Sequence, residues 1–439
     1  MANVKPELSL LTMPLDMQRT VRIFAVVIIT LFALSVFGWM SVQVSEKDKE
    51  FGFLGKPIKQ LLSFPELFFE SVEEVKHKGL PGTFVKTPED FVPINKLQSD
   101  LMALIAYSDT GSSRSVVLMN LKDDSIHHRW IFDDPIEEYE RIFHPLLLPG
   151  KNLIYSYKGN DLARVDSMSN LIWRQDQISP HHSKELDKDG NIVLSTYPKV
   201  YHGTGYFTLE GKNVYFKDEY ITKIDSETGA IIFEKSMTEI LRKNNLTNYL
   251  LKSGNLSDPI HTNDVQPALK TTPYYNEDDL FISAKNLSVI LHFRPSTDEV
   301  VNVIEGPFLC QHDIDFYGDD AIVLFNNNFH ADNMDNGWKK PKEEHQSPVF
   351  AGEFYSSIVK YDFSTRRFSF IADSVFKANK ILTRTEGLIE FYEPNAVFVE
   401  QQNFGVLWVI KDNEVIYKNV LKSQHQGFHH LPNWTRIIR

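Results

Sequence analysis

The chain has 439 residues, 42% hydrophobic and 24% charged, with 46 lysines and arginines against 58 aspartates and glutamates. That much apolar material excludes a disordered chain. A net charge of −12 argues against nucleic acid as a partner, which needs a basic face against phosphate. One cysteine, Cys310, excludes a disulfide framework and any multi-cysteine metal site, while 31 Phe and 17 Tyr lean towards strands.

The first element is apolar. Ile23 to Val44 are 22 residues without a charge. As a helix they span roughly 33 Å, enough for a bilayer's hydrocarbon core. Arg19 and Arg22 precede the stretch, and SEKDKE (45–50) follows with no positive excess. The bias predicts a cytoplasmic N-terminus over 1–22, a membrane anchor over 23–44, and an extracytoplasmic remainder, periplasmic if the membrane is the inner one. A cleaved signal peptide competes with this reading. The stretch is longer than a usual signal core, and Gly38-Trp39-Met40-Ser41 offers no small-x-small cleavage site. Residues 45–100 read as a helical and extended linker. Apolar residues recur at helical spacing from Pro57 to His77, broken at Pro65, and Leu80 to Pro93 carries Pro81, Pro88 and Pro93.

From Leu101 a phrase of strand, polar turn and strand recurs. It spans 116–132, 162–175, 221–235, 289–306, 358–373 and 407–420. Its turns open at Asn120, Asp166, Asp225, Arg294, Asp362 and Lys411, spaced 46, 59, 69, 68 and 49 residues apart. Asp or Asn folds its side chain onto the turn, Thr-Gly reverses the chain tightly, and β-branched residues pair on either side. A lone hairpin cannot bury its apolar face, so the repeats must stack. The prediction is an all-β, six-bladed β-propeller over 101–439, with a large β-sandwich as the alternative. A second phrase, turn then buried strand, recurs at 186–195, 276–284, 317–326 and 392–401. Glu239 to Asn255 reads as a helical insertion, and 327–350 as a long surface loop.

Histidines stand ahead of these turn-plus-strand phrases in three repeats: His181 with His182, His261, and His312. Propeller strands of that phase line the central channel, so their side chains are expected to converge. Converging neutral imidazoles suit a metal, a nucleophile with its general base, or a structural role bonding loop carbonyls. The paired His127-His128 and His429-His430 read as surface or strand-edge residues. Glu386 and Glu400 in the sixth repeat are candidate channel-facing carboxylates.

The phrases DPIHTN, LFISAKNLSVI and QHDIDF…AIVLFNN, with HHSKELDKDGNIVL before them, resemble the bacterial arylsulfotransferase family, a six-bladed propeller. There they read approximately H-x-N-S, S-S-R-x-Q-S and Q-H-x…L-F-D-N-G. The resemblance implies ping-pong sulfuryl transfer from an aryl sulfate donor to a phenolic or other hydroxyl acceptor, with no cofactor and no metal. It implies His312 as the nucleophile and transient sulfohistidine, with His261 and Asn263 on the sulfuryl and bridging oxygens. It implies His182, or His181 beside it, as the remaining pocket histidine. Lys285 stands where the family has arginine, keeping the charge but losing the two-pronged donor. Asn326 and Asn328 stand where the family has Asp and Gly. The rival reading is a non-catalytic propeller that binds an anionic envelope glycan or a partner protein in the same pocket. Neither reading fixes an oligomeric state.

Overall fold

A computed structural model describes residues 15–46, 84–108, 114–132, 141–157, 161–198, 204–329 and 354–438. The helices expected over 57–77 and most of the loop expected over 327–350 lie outside the described residues. The chain divides into two units, Met1–Leu80 and Pro81–Arg439.

In the first unit, helix α1 runs Leu15–Glu46. Its stretch Met17–Met40 is long and apolar enough to cross a membrane, a criterion that an N-terminal signal sequence also meets.

The second unit is built of four-stranded antiparallel sheets arranged as the blades of a propeller. Five take their strands in simple chain order from the inside outwards, with innermost strands Ile142–Leu148, Ile178–Leu186, Thr262–Pro267, His312–Phe316 and Leu388–Glu393 (blades 2 to 6). Blade 1 differs. Its inner strand is the C-terminal Arg436–Ile438, laid against Met102–Ser108, so both ends of the repeat array share one sheet and close the ring. The six sequence phrases form the third and fourth strands, counted from the inside, of the six blades, as in Tyr220–Ile224 paired with Ile231–Ser236.

The phrase folds for the anticipated reason. Asp225 Oδ1 accepts from the backbone N–H groups of Glu227 and Thr228, and Asp362 Oδ1 from that of Thr365. Gly229 sits at φ +74°, where an added Cβ would meet the Trp173 ring at 2.8 Å. That ring belongs to the preceding blade and donates from Nε1 to the Ser226 carbonyl (3.0 Å), so this turn also docks its neighbour. Between blades, opposed β-branched and aromatic side chains fill the space. One such layer holds Leu104, Val116, Trp130, Leu153 and Tyr155, all buried.

Several features were not foreseen. Phe84–Lys86 and Ile94–Asn95, read as extended linker, are strands that widen the sixth sheet, so the propeller begins before residue 101. That added strand explains why His429 and His430 are buried and not at the surface. His429 bonds Thr87 Oγ1 and the Phe404 carbonyl, each at 2.8 Å. The expected insertion is helical but short: α2, Met237–Lys243, capped by Ser236, then a 3-10 turn Thr247–Lys252. A hairpin, Thr204–Leu209 with Lys212–Lys217, is inserted in blade 3. Helix α3, Asp373–Asn379, follows blade 5.

Candidate functional site

The inner strands of blades 2 to 5 carry one shared irregularity. Pairing with the second strand slips at Phe143/Leu146, His181/Lys184, Thr262/Asp264 and His312/Ile314. At or beside each slip one residue takes a left-handed backbone: His144 (φ 47°), His182 (56°), His261 (53°) and Asp313 (52°). Such a conformation costs a residue with a Cβ roughly 1–2 kcal/mol. The bulge re-aims the side chains at one end of the channel, as bulges beside functional sites do.

There they wall a cavity of about 580 Å³. His181, His182, His261, Lys285 and His312 all line it, together with Tyr197, Lys217, Asp258 and Glu386. Four of the imidazoles are in ring contact: His181 with His182 (4.1 Å between centroids), His182 with His261 (5.2 Å) and His182 with His312 (5.7 Å). Lys285 is placed by a 3-10 turn, Lys285–Leu287, that ends the second strand of blade 4; it is not on an inner strand. Asn263 does not line the cavity. It is fully buried and donates from Nδ2 to the Gln311 carbonyl (2.7 Å), fixing the backbone just ahead of His312.

Hydrogen bonds settle which nitrogen of His312 is free. Asn327 donates from Nδ2 to the carbonyls of Thr383 (3.0 Å) and Glu386 (2.7 Å), so its Oδ1 must face His312. That oxygen lies 2.6 Å from His312 Nδ1, which therefore carries the proton. Nε2 keeps its lone pair and accepts a weak bond from the Glu386 backbone N–H (3.2 Å). Burial, with the Lys285 charge next in weight, pushes the His312 pKa down to about 3, so the imidazole is neutral at physiological pH.

Two of the other histidines are backed by carboxylates. His261 Nδ1 is hydrogen-bonded to Asp258 Oδ2. Burial alone would raise the Asp258 carboxyl, but that bond and the charges of His261, Lys285 and Lys217 bring it below its usual value. His181 Nδ1 donates to the Thr262 carbonyl (3.1 Å), with Glu219 Oε1 at 3.4 Å. Glu219 is buried, which pushes it up to about 8, aided by the nearby Asp258. His182 Nε2 lies 3.1 Å from His261 Nε2, while His182 Nδ1 is buried without a partner. An unpaired acceptor there is cheaper than an unpaired donor, so a single proton sits between the two facing Nε2 atoms. Burial holds both His181 and His182 well below the ordinary imidazole pKa.

Sequence reasoning missed Lys217, Tyr197, Asp258, Glu219, Asn327 and His144. Lys217 enters from the base of the inserted hairpin, its Nζ 3.4 Å from the Tyr197 ring centroid. His144 stacks on Trp434 (4.0 Å) and lies 5.6 Å from the His182 ring, fully buried and with neither ring nitrogen bonded. A signal for it existed. FHPLLLPGKNLI repeats the phase of HHSKELDKDGNI, with a leucine four residues after His144 as after His182. The departures at Asn326 and Asn328 have local explanations. Asn326 Oδ1 accepts from the N–H groups of Leu309 and Asn328, a turn role an aspartate also fills. Asn328 has φ 54°, a left-handed position that asparagine tolerates almost as glycine does.

Fold and site together define a propeller whose channel mouth is an imidazole-walled, lysine-flanked cavity. The chain belongs to the arylsulfotransferase (ASST) family, whose sequence profile matches residues 144–420, and the family supports a sulfotransferase-like function. Among solved structures, a protein of unknown function from Bacteroides caccae is 9% identical, covering 75% of this chain and 97% of its own (TM-score 0.47). Streptogramin B lyase is 10% identical over 76% of this chain and 87% of its own (TM-score 0.39). BamB from Moraxella catarrhalis is 12% identical over 76% and 87% (TM-score 0.35). No curated protein matches the chain significantly.

Proposed function

We propose that the protein transfers a sulfuryl group from an aryl sulfate ester to a phenolic or other hydroxyl acceptor through a sulfohistidine at His312. The observation that carries this reading is the fixed tautomer of His312: a neutral imidazole with Nδ1–H tied to Asn327 and the Nε2 lone pair at a cavity wall. In the first step Nε2 attacks sulfur, the sulfur–oxygen ester bond breaks, and the phenolate leaves. The His182 Nε2–H, released from its bond to His261, hydrogen-bonds the departing oxygen, and the phenolate leaves as the anion. In the second step the acceptor hydroxyl gives its proton to the His261 Nε2 lone pair, which Asp258 backs from Nδ1, and takes the sulfuryl group from His312 Nε2, restoring the free imidazole; the proton then passes to the phenolate or to solvent. Lys285 and Lys217 offset charge on the sulfuryl oxygens, much as lysines do in phosphoryl transfer. Asn263 acts by holding Gln311 and hence the nucleophile's backbone.

The apolar helix and the arginines ahead of it support an inner-membrane anchor with the propeller in the periplasm. Chemistry and side are tested together by supplying intact spheroplasts with a membrane-impermeant chromogenic aryl sulfate and a phenol. Acceptor-dependent colour is the expected result. No turnover in spheroplasts or in detergent-solubilised protein, with aryl sulfate binding retained, would leave the non-catalytic reading.

Lys285→Ala is expected to lower kcat/KM for the donor by about 10²–10³-fold, the range for removing one charge-stabilising donor. Lys285→Arg, which restores the family's two-pronged group, is expected to stay within about tenfold of the unmodified protein. Steady-state kinetics at several donor concentrations check both. An unaffected alanine variant would remove Lys285 from the site.

A further inference from the structure

We propose that His181, His182 and His261 form a binding site for a zinc-class divalent cation, with the fourth coordination position open to the cavity. One ring nitrogen from each lies within 4.8 Å of the other two. A tetrahedral ion about 2.0–2.1 Å from each nitrogen needs ligands about 3.4 Å apart. The His182 and His261 Nε2 atoms are already 3.1 Å apart. Two facing imidazole nitrogens are satisfied by one shared proton or by one cation, and a third imidazole at that distance favours the cation.

The outer atoms fit for two of the three, while His182, whose buried Nδ1 has no partner, would carry its proton there once Nε2 binds the ion. A ligating imidazole usually gives its other N–H to a carboxylate or carbonyl, which fixes the tautomer and raises the basicity of the bound nitrogen. His261 does this with Asp258, and His181 with the Thr262 carbonyl backed by Glu219. Each therefore presents a bare Nε2. Left-handed backbones at His182 and His261 aim the rings, so the set is built before the ion arrives. A nitrogen-only set with no thiolate suits zinc or copper over magnesium or calcium. The open position shares its cavity with Lys217 and Lys285, so it suits an anionic fourth ligand. Loading ties up the Nε2 atoms of His182 and His261 that sulfuryl transfer would use, so zinc is expected to inhibit that reaction. This last consequence alone rests on the proposed function; the binding itself rests on geometry.

The test uses full-length, untagged protein in detergent, stripped with a chelator and titrated with zinc chloride against a fluorescent zinc competitor. One equivalent should bind with a Kd at or below about 1 µM, weakening about 10–100-fold or more in His181→Ala and in His261→Ala. His127→Ala, at an exposed strand position, should bind as the unmodified protein does. X-ray absorption of the loaded protein needs no variant to fold, and should report three imidazole nitrogens near about 2.0 Å and one further light atom. Absence of stoichiometric binding, or an absorption spectrum without three imidazoles, overturns the site. Zinc binding without sulfuryl transfer under any condition sinks the proposed function alone; zinc-free transfer with no zinc binding sinks this inference alone.

Discussion

His312→Ala is expected to abolish sulfuryl transfer, by about 10⁴-fold or more, with the fold retained. Removing a covalent nucleophile costs that much because no neighbouring group occupies its position. His182 and His261 cannot substitute, because their Nε2 atoms face each other and not open space. His312 combines a neutral ring, a protonated and anchored Nδ1, and an Nε2 held by nothing stronger than a 3.2 Å backbone contact. His181, with Nδ1 likewise anchored on the Thr262 carbonyl, is the rival that the site of sulfation tells apart. The check is mass spectrometry of the protein mixed with donor alone. Unmodified protein should gain one SO3 on the peptide containing His312, and the alanine variant none. A melting curve separates lost chemistry from lost fold. Sulfation of His181, His182 or His261 instead would move the nucleophile and discard the tautomer argument.

The same residues show how far the chain could be read unaided. The hairpin phrases were legible because turn chemistry is local: an Asx turn, a Thr-Gly reversal and flanking β-branched strands lie within about fifteen residues, and all six marked outer strands. The inner-strand histidines were legible for a related reason, since each precedes a turn-plus-strand phrase of fixed phase. What could not be read was whatever depends on contacts between blades. Asp258 and Glu219 matter only because they stand behind His261 and His181. Lys217 matters only because a hairpin of unremarkable composition folds back over Tyr197. His429 and His430 looked exposed because the strand that covers them, Phe84–Lys86, lies more than 300 residues earlier and read as proline-rich linker. Asn263 was placed on substrate by resemblance, whereas its amide reaches the Gln311 carbonyl, a contact across two blades. His144 is the one omission that local reading alone could have repaired.

Closing the ring is expected to matter more for stability than any single core contact. Deleting residues 434–439 should abolish the cooperative thermal transition of the propeller. The last strand, Arg436–Ile438, is the inner strand of blade 1, yet most of its anchors belong elsewhere. Arg436 reaches Glu185 Oε1 (2.8 Å) and the Lys184 carbonyl (2.6 Å) in blade 3, and the Ile437 N–H reaches Glu390 in blade 6 (2.7 Å). The turn before it is held by Glu400, which accepts from the N–H groups of Trp434 and Thr435 at 2.9 Å each. Without the strand, blades 1 and 6 both expose apolar edges, and the loss exceeds the roughly 5–15 kcal/mol that a domain usually has to spare.

Glu400 makes this closure sensitive to pH. Its carboxyl is fully buried, and burial raises it from 4.5 to about 7 despite the two N–H donors. The folded state therefore holds this proton more tightly than the unfolded chain does. Stability from the group is present in full below about pH 4.5, falls as pH rises through the interval to about 7, and is level above that. The span amounts to roughly 3 kcal/mol at 1.36 kcal/mol per pH unit. Glu400→Gln keeps an oxygen for the turn and removes the titration. Measured as denaturant midpoints from pH 4.5 to 8.5, the unmodified protein should lose stability relative to this variant as pH rises, with the difference flattening near pH 8. A difference that does not change with pH would mean that Glu400 is already ionised inside the fold, and that the closing turn is held by charge and not by a neutral acid.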